Sequence, residues 1–221
     1  MRSNCNKIKY QTILKLKAMN RRIIFFMPML VLLFSFLYIT EKGSQRAYYE
    51  CTEPLKIDTS LFPLKKGQVY FHFNQSLKPK GLKAKGFLWM EDTPKDYFTA
   101  YLINTSDATF NAKRQDGSLI MIQEAMDAEG KWQPIEYWVY SGCGNSYFDP
   151  LVLTPGNYVM IPIKEYKGSF KTKFRLKMKK DTSLFYSDTF EGSIDKSQFE
   201  KETKQVNGIL YHGPANYLDD K

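Results

Sequence analysis

Apolar and polar residues alternate with a period of two along most of this chain. In Phe170–Met178, Phe170, Thr172, Phe174, Leu176 and Met178 fall on one face. Lys171, Lys173, Arg175 and Lys177 fall on the other. A half-buried strand accounts for this pattern and a helix does not. Val69, Phe71 and Phe73 alternate with Tyr70 and His72, and Phe98, Ala100 and Leu102 alternate with Tyr97, Thr99 and Tyr101. The alternation predicts strands near 69–74, 83–90, 97–104, 107–113, 118–126, 131–140, 148–153, 157–163 and 169–178, with a weaker one at 184–191. Asp116-Gly117 lies between two of these runs and predicts a hairpin. Asp127–Gly130 and Thr154–Asn157 mark further turns. No helical stretch intervenes, so the expected class is all-β: one antiparallel sandwich of about eight or nine strands over 67–191.

The flanks differ. Ile23–Ile39 carries no charge over seventeen residues. With Thr40 it reaches the lower length limit of a spanning helix, about 18–20 residues. Seven basic and no acidic residues precede it. This predicts a basic cytoplasmic segment at 1–22, a transmembrane signal anchor at 23–40, and a domain delivered outside the cytoplasm. A cleaved leader competes with the anchor, but its best site, Gln45-Arg46-Ala47, lacks the small residue that cleavage requires two positions earlier. Residues 41–66 read as a stalk that becomes an edge strand near 48–57, and 192–221 as a polar tail with a short helix near 197–204. Met19 offers a second start site, which would remove Cys5.

Charge adds an exclusion. The whole chain is at +9, but beyond residue 40 it holds 25 basic and 23 acidic residues. The excess is a prefix, so no basic groove for nucleic acid is expected. Aromatic residues make up 15% of the chain, which favours strands.

Candidate chemistry is sparse. "YSGCGNSYFDP", Tyr140–Pro150, is a loop following the 131–140 strand. In an oxidising compartment Cys51 and Cys143 would be the two remaining cysteines, and their simplest reading is one disulfide. The loop it closes, of about 90 residues, makes it worth ~4 kcal/mol in the chain-entropy account. A hydrolase would need Cys143 with His212, or a Glu124/Glu136 carboxylate pair. No zinc spacing is present and no cofactor is expected. Trp138, Tyr140, Asn145 and Tyr147 form the expected binding patch. The face formed by Lys171, Lys173, Arg175 and Lys177 suits an acidic partner or lipid surface, or serves only solubility. Asn74 and Asn104 fit the N-glycosylation pattern.

The stretch "NTSDATFNAKRQDGSLIMIQEAMDAEGKWQPIEYW" resembles the immunoglobulin-like sandwich domains of membrane-anchored bacterial envelope proteins. The resemblance rests on "NTSD" after a strand, the "DG" and "EG" turns, and a Trp two residues past the second turn. The anchor-plus-sandwich layout is also similar to the cytochrome oxidase copper-assembly proteins, but their paired-Cys copper motif is absent. The expectation is a non-catalytic binding or assembly component in the inner membrane. It would cross once, with its domain in the periplasm and an envelope protein as partner.

Overall fold

The structure is a computed structural model that describes residues 43–79, 96–142, 144–202 and 215–219. The anchor at 23–40, the strand at 83–90, Cys143 and His212 lie outside the described residues. No helix among the described residues is long and apolar enough to cross a membrane.

The fold is all-β. In chain order the strands are β1 (Gln45–Arg46), β2 (Leu55–Lys56), β3 (Val69–Asn74), β4 (Tyr97–Asn104), β5 (Phe110–Ala112), β6 (Arg114–Gln115), β7 (Ser118–Leu119) and β8 (Met121–Met126). There follow β9 (Trp132–Pro134), β10 (Glu136–Tyr137), β11 (Leu151–Leu153), β12 (Asn157–Lys164), β13 (Phe170–Lys180), β14 (Ser183–Tyr186) and β15 (Phe190–Ile194). A 3-10 turn, Lys196–Phe199, stands at the start of the stretch expected as a short helix near 197–204.

One sheet runs β2-β12-β4-β3. The other runs β11-β5-β13-β8-β9, with β14 and β15 also paired to β13. Short pairs β6–β7 and β1–β10 complete the pattern, and only β1–β10 is parallel among the described pairings. Phe98, Ala100 and Leu102 of β4 share one core with Ile122 of β8 and Leu176 and Met178 of β13, so the two sheets bury each other's inner faces. The outer face of β4 is also covered. Tyr101 and Ile103 pack with Tyr70, Tyr158 and Phe62, which explains why all eight β4 residues are buried.

Local chemistry explains several boundaries. Asp116 and Gly117 both have positive φ, 52° and 83°, as a two-residue type I′ hairpin requires. The run expected as one strand at 118–126 divides at Ile120, because Ser118–Leu119 pairs with β6 and Met121–Met126 with β13 and β9. The expected 131–140 strand divides at Ile135. Pro134 has no N–H to give, and the Ile135 amide donates to the Gln123 carbonyl as an extra residue in the ladder.

The segment read as stalk or edge is integral to the fold. Ala47, Tyr49 and Phe62 are buried, and Gln45–Arg46 pairs with Glu136–Tyr137. The tail is partly packed too: Asn216 bridges Trp138 and Leu218 is buried. Asn104 is fully buried, and its amide donates to the Ala108 and Leu153 carbonyls, so this glycosylation match is a structural asparagine.

Gly168 meets the chain at its closest approach. A Cβ there would fall on the backbone of Ile194 and Asp195. Gly168→Ala is expected to destabilise by about 3 kcal/mol, whereas Gly142→Ala, with open space around it, stays within about 0.5 kcal/mol. Urea midpoints of the two variants check this, and equal midpoints would contradict it.

Candidate functional site

The loop after β10 is fastened from below by three consecutive residues at β6 and its turn. Arg114 donates to the Asp149 carbonyl at 3.1 Å and pairs with the Asp149 carboxylate. Gln115, itself buried, donates through Nε2 to the Ser141 carbonyl and Ser146 Oγ, both at 2.9 Å, and accepts from the Ser141 amide. The Asp116 carboxylate accepts from Ser146 Oγ and the Tyr147 amide. Both ends of the loop are therefore tied to a tight hairpin.

Tyr140, Tyr147 and Phe148 are 37%, 55% and 64% exposed. The Tyr140 ring lies 6.5 Å from the Phe148 ring. Asn145 is exposed beside them. Three of the four residues expected in the binding patch thus reach the surface. Trp138 does not: it is 4% exposed and belongs to the main core, with its ring 6.5 Å beneath Tyr140. Its parity matched Tyr140, but both faces of the 137–139 stretch are covered, since Tyr137 and Val139 are buried as well. Phe148 is the residue sequence reasoning left out. It was placed at the start of a strand that in fact begins at Leu151.

Among the described residues Cys51 is bonded to no other cysteine, and its sulfur lies 4.0 Å from Arg114 Nη1. Its neighbour Glu50 bridges to Ser118, so Cys51 sits against the same hairpin that fastens the loop. Burial pushes its thiol up to about 11, against the smaller opposing pull of Arg114. At neutral pH it is protonated and a poor nucleophile.

The carboxylates Glu124 and Glu136 do not form a pair. Glu136 bonds the Gln123 side chain, while Glu124, the next residue along β8, turns to the opposite face. Glu136 is enclosed. Its carboxyl accepts from Tyr49 Oη, from Tyr166 Oη at 2.7 Å, and from Gln123 through both the backbone amide at 2.7 Å and Nε2 at 3.2 Å. Burial raises its pKa above the usual carboxylate value, against the lowering effect of the tyrosine hydroxyls. The hydroxyls of Tyr49 and Tyr166 are held well above their usual range, by burial first and then by Glu136, so they remain donors.

The basic face of β13 separates into two halves. Lys171 and Lys173 are exposed. Arg175 pairs with Glu124 at 2.7 Å and lies between the rings of Trp132 and Tyr186, 4.5 and 4.3 Å from their centroids. Lys177 is buried. Its ammonium meets Glu124 at 3.5 Å, Asp219 at 3.0 Å and the Tyr217 carbonyl at 3.0 Å. Half of the expected charged surface is thus consumed internally. No group of three potential metal ligands occurs among the described residues.

Removing Glu124 would leave Lys177 buried with the Tyr217 carbonyl and one exposed carboxylate, Asp219, as its partners. Glu124→Ala is expected to cost about 3 kcal/mol, as breaking a buried pair from one side does. Glu136 governs a pH dependence. In the unfolded chain it ionises near pH 4.3, while its folded pKa is raised. Its contribution is therefore full below that pH and is lost as pH rises through the folded value. Unfolding free energies of wild type and Glu136→Gln, measured from pH 4 upward, should show the wild-type value falling relative to the variant. A relative rise would contradict the assignment.

No protein-family model, no curated protein and no solved structure matches this chain.

Proposed function

We propose that this chain is a single-pass, membrane-anchored binding component of a bacterial cell envelope. The N-terminus lies in the cytoplasm, Ile23–Ile39 is an uncleaved anchor, and an immunoglobulin-like sandwich lies in the periplasm. The role is non-catalytic, and the contact face is the loop bearing Tyr140, Asn145, Tyr147 and Phe148.

The observation that carries this reading is the exposed aromatic trio on a loop fastened by Arg114, Gln115 and Asp116. Aromatic rings held in advance lose little freedom on binding and are the usual anchors of protein interfaces. The immunoglobulin-like assignment is supported by two antiparallel sheets sharing one core. The uncleaved anchor is supported by what cleavage after Ala47 would remove: β1, the buried Ser44 and Ala47 itself. A disulfide between Cys51 and Cys143 is supported by the place of Cys51, beside the hairpin that holds the loop containing residue 143. The carboxylates Glu124 and Glu136, turned to opposite faces, weigh against a hydrolase built on that pair.

Full-length protein should stay in the membrane after alkaline carbonate extraction, with its domain digested by protease only after the outer membrane is opened. Recovery in the soluble fraction would overturn the anchor. A photo-crosslinker placed at Tyr147 should trap an envelope protein that one placed at Lys131 does not. Replacing Tyr140, Tyr147 and Phe148 by alanine should reduce that product about tenfold or more without lowering the melting temperature. An equal yield from both positions would overturn the contact face. Peptide mapping without reductant should show Cys51 joined to Cys143.

A further inference from the structure

Charge around the aromatic loop is one-sided. Asp116, at the tip of the β6–β7 hairpin, holds the loop with its carboxylate: Oδ1 accepts from the Tyr147 amide at 3.0 Å and Oδ2 from Ser146 Oγ at 2.9 Å. Both donors are neutral, so these bonds fix the carboxylate in place without cancelling its charge. It stands at the backbone of Tyr147, a side chain that is 55% exposed. Across the hairpin, Glu50 bridges to Ser118, Ser118 pairs with Gln115, and Gln115 bridges to Phe148. Glu50 and Phe148 are therefore the outer members of a strip four strands wide, about 14 Å at the usual strand spacing, with Asp116 at the turn between them. The Glu50 carboxylate accepts from Tyr48 Oη at 2.8 Å, again a neutral donor. The Tyr48 hydroxyl is raised above its ordinary range by burial first and then by Glu50, with smaller contributions from Asp116 and Tyr147. All three thus lie within electrostatic reach of one hydroxyl.

Among the described residues, no ammonium or guanidinium group stands within ion-pair distance of Glu50 or Asp116. Arg114, the cation of the same hairpin, is committed to the carboxylate and carbonyl of Asp149, and that pair is neutral. By contrast, Glu124, Glu165 and Asp188 all have cationic partners. Beyond residue 40 the chain holds 25 basic and 23 acidic residues, so an unanswered negative strip runs against its overall balance. The strip adjoins the exposed side chains of Tyr140, Tyr147 and Phe148, and aromatic rings attract cations through their own quadrupoles. Rings and carboxylates here favour the same kind of group. The carboxylates act on it across a Debye length, about 8 Å at physiological salt, without having to touch it.

We infer, resting on the contact face proposed above, that the partner seated on this loop is a protein segment bearing an arginine or lysine flanked by apolar side chains. The cation lies at Tyr147, in the field of Asp116 and Glu50, and its apolar neighbours pack against Tyr140 and Phe148.

Full-length protein in detergent micelles, with the photo-crosslinker at Tyr147, is incubated with two capped fluorescent hexapeptides, one alternating leucine with arginine and the other leucine with glutamate. The arginine peptide should be captured saturably and about tenfold more tightly than the glutamate peptide, and not by protein carrying the crosslinker at Lys131. Raising salt from about 50 to about 500 mM should weaken that capture several-fold. Glu50→Gln/Asp116→Asn should weaken it to a similar degree, while Glu129→Gln, on the β8–β9 turn, changes nothing. Asparagine before glycine suits the type I′ turn, so the hairpin survives the substitution. Equal capture of the two peptides by protein with unaltered carboxylates, a comparison that needs neither charge variant, would overturn the inference. In membranes, the envelope protein trapped at Tyr147 should show the same dependence on salt and on the two carboxylates. A product that ignores both leaves the contact face standing and removes the cationic partner. Absence of any product removes the contact face and the inference with it. A product made of two copies of this chain, joined through its own basic surface, overturns the assignment to another protein.

Discussion

A single buried carboxyl group organises this domain. Glu136 receives four hydrogen bonds from three separated parts of the chain: Tyr49 near the start, Gln123 on β8, and Tyr166 beyond β12. β8 belongs to one sheet, while β12 belongs to the other. A group of this kind is costly to bury unless every lone pair is answered. Meeting that requirement forces the N-terminal segment, a central strand and a crossover to converge on one point. The hydrophobic core supplies the driving force for collapse, and the polar cluster selects the arrangement of segments around it.

Around the same point, β10 is held from both sides by the two ends of the described domain. Ala47 donates to the Tyr137 carbonyl at 2.8 Å, and the Trp138 amide donates to the Asn216 carbonyl at 2.8 Å. Tyr217 meets the Tyr137 ring and lies within 3.3 Å of Ser44 Oγ. These ends hide Trp138, supply Asp219 to Lys177, and leave the loop after Tyr140 as the exposed continuation of an otherwise covered segment.

How far the sequence announced this varies with the kind of feature. Period-two alternation located β3, β4, β12 and β13 closely, because each strand turns one face toward a core, wholly buried in β4 and β12 and partly in β3 and β13, and register is then constrained. Asp116-Gly117 announced its turn because two successive positive φ angles admit few residue types. Parity identifies a face and says nothing of what covers it. That is why Trp138 and Tyr140, equivalent in pattern, have opposite fates. Lys177 read as surface for the same reason, since its partners Glu124 and Asp219 are 53 and 42 residues away in the chain and no local pattern joins them. The Glu136 cluster left no trace, as its donors are two tyrosines and a glutamine at unrelated spacings.

The meeting of Ser44 with Tyr217, 173 residues apart, has a kinetic consequence. A chain made from its N-terminus presents Ala47 and Tyr49 first and must wait for Ala215–Asp219 before β10 is enclosed on both sides. Such distant pairings form slowly and late. During that interval Trp138, Leu218 and the polar surroundings of Glu136 are uncovered together, and the nascent molecule is at its most vulnerable to association with its own copies. Folding rate, rather than final stability, then becomes the quantity that mutations along this seam alter first.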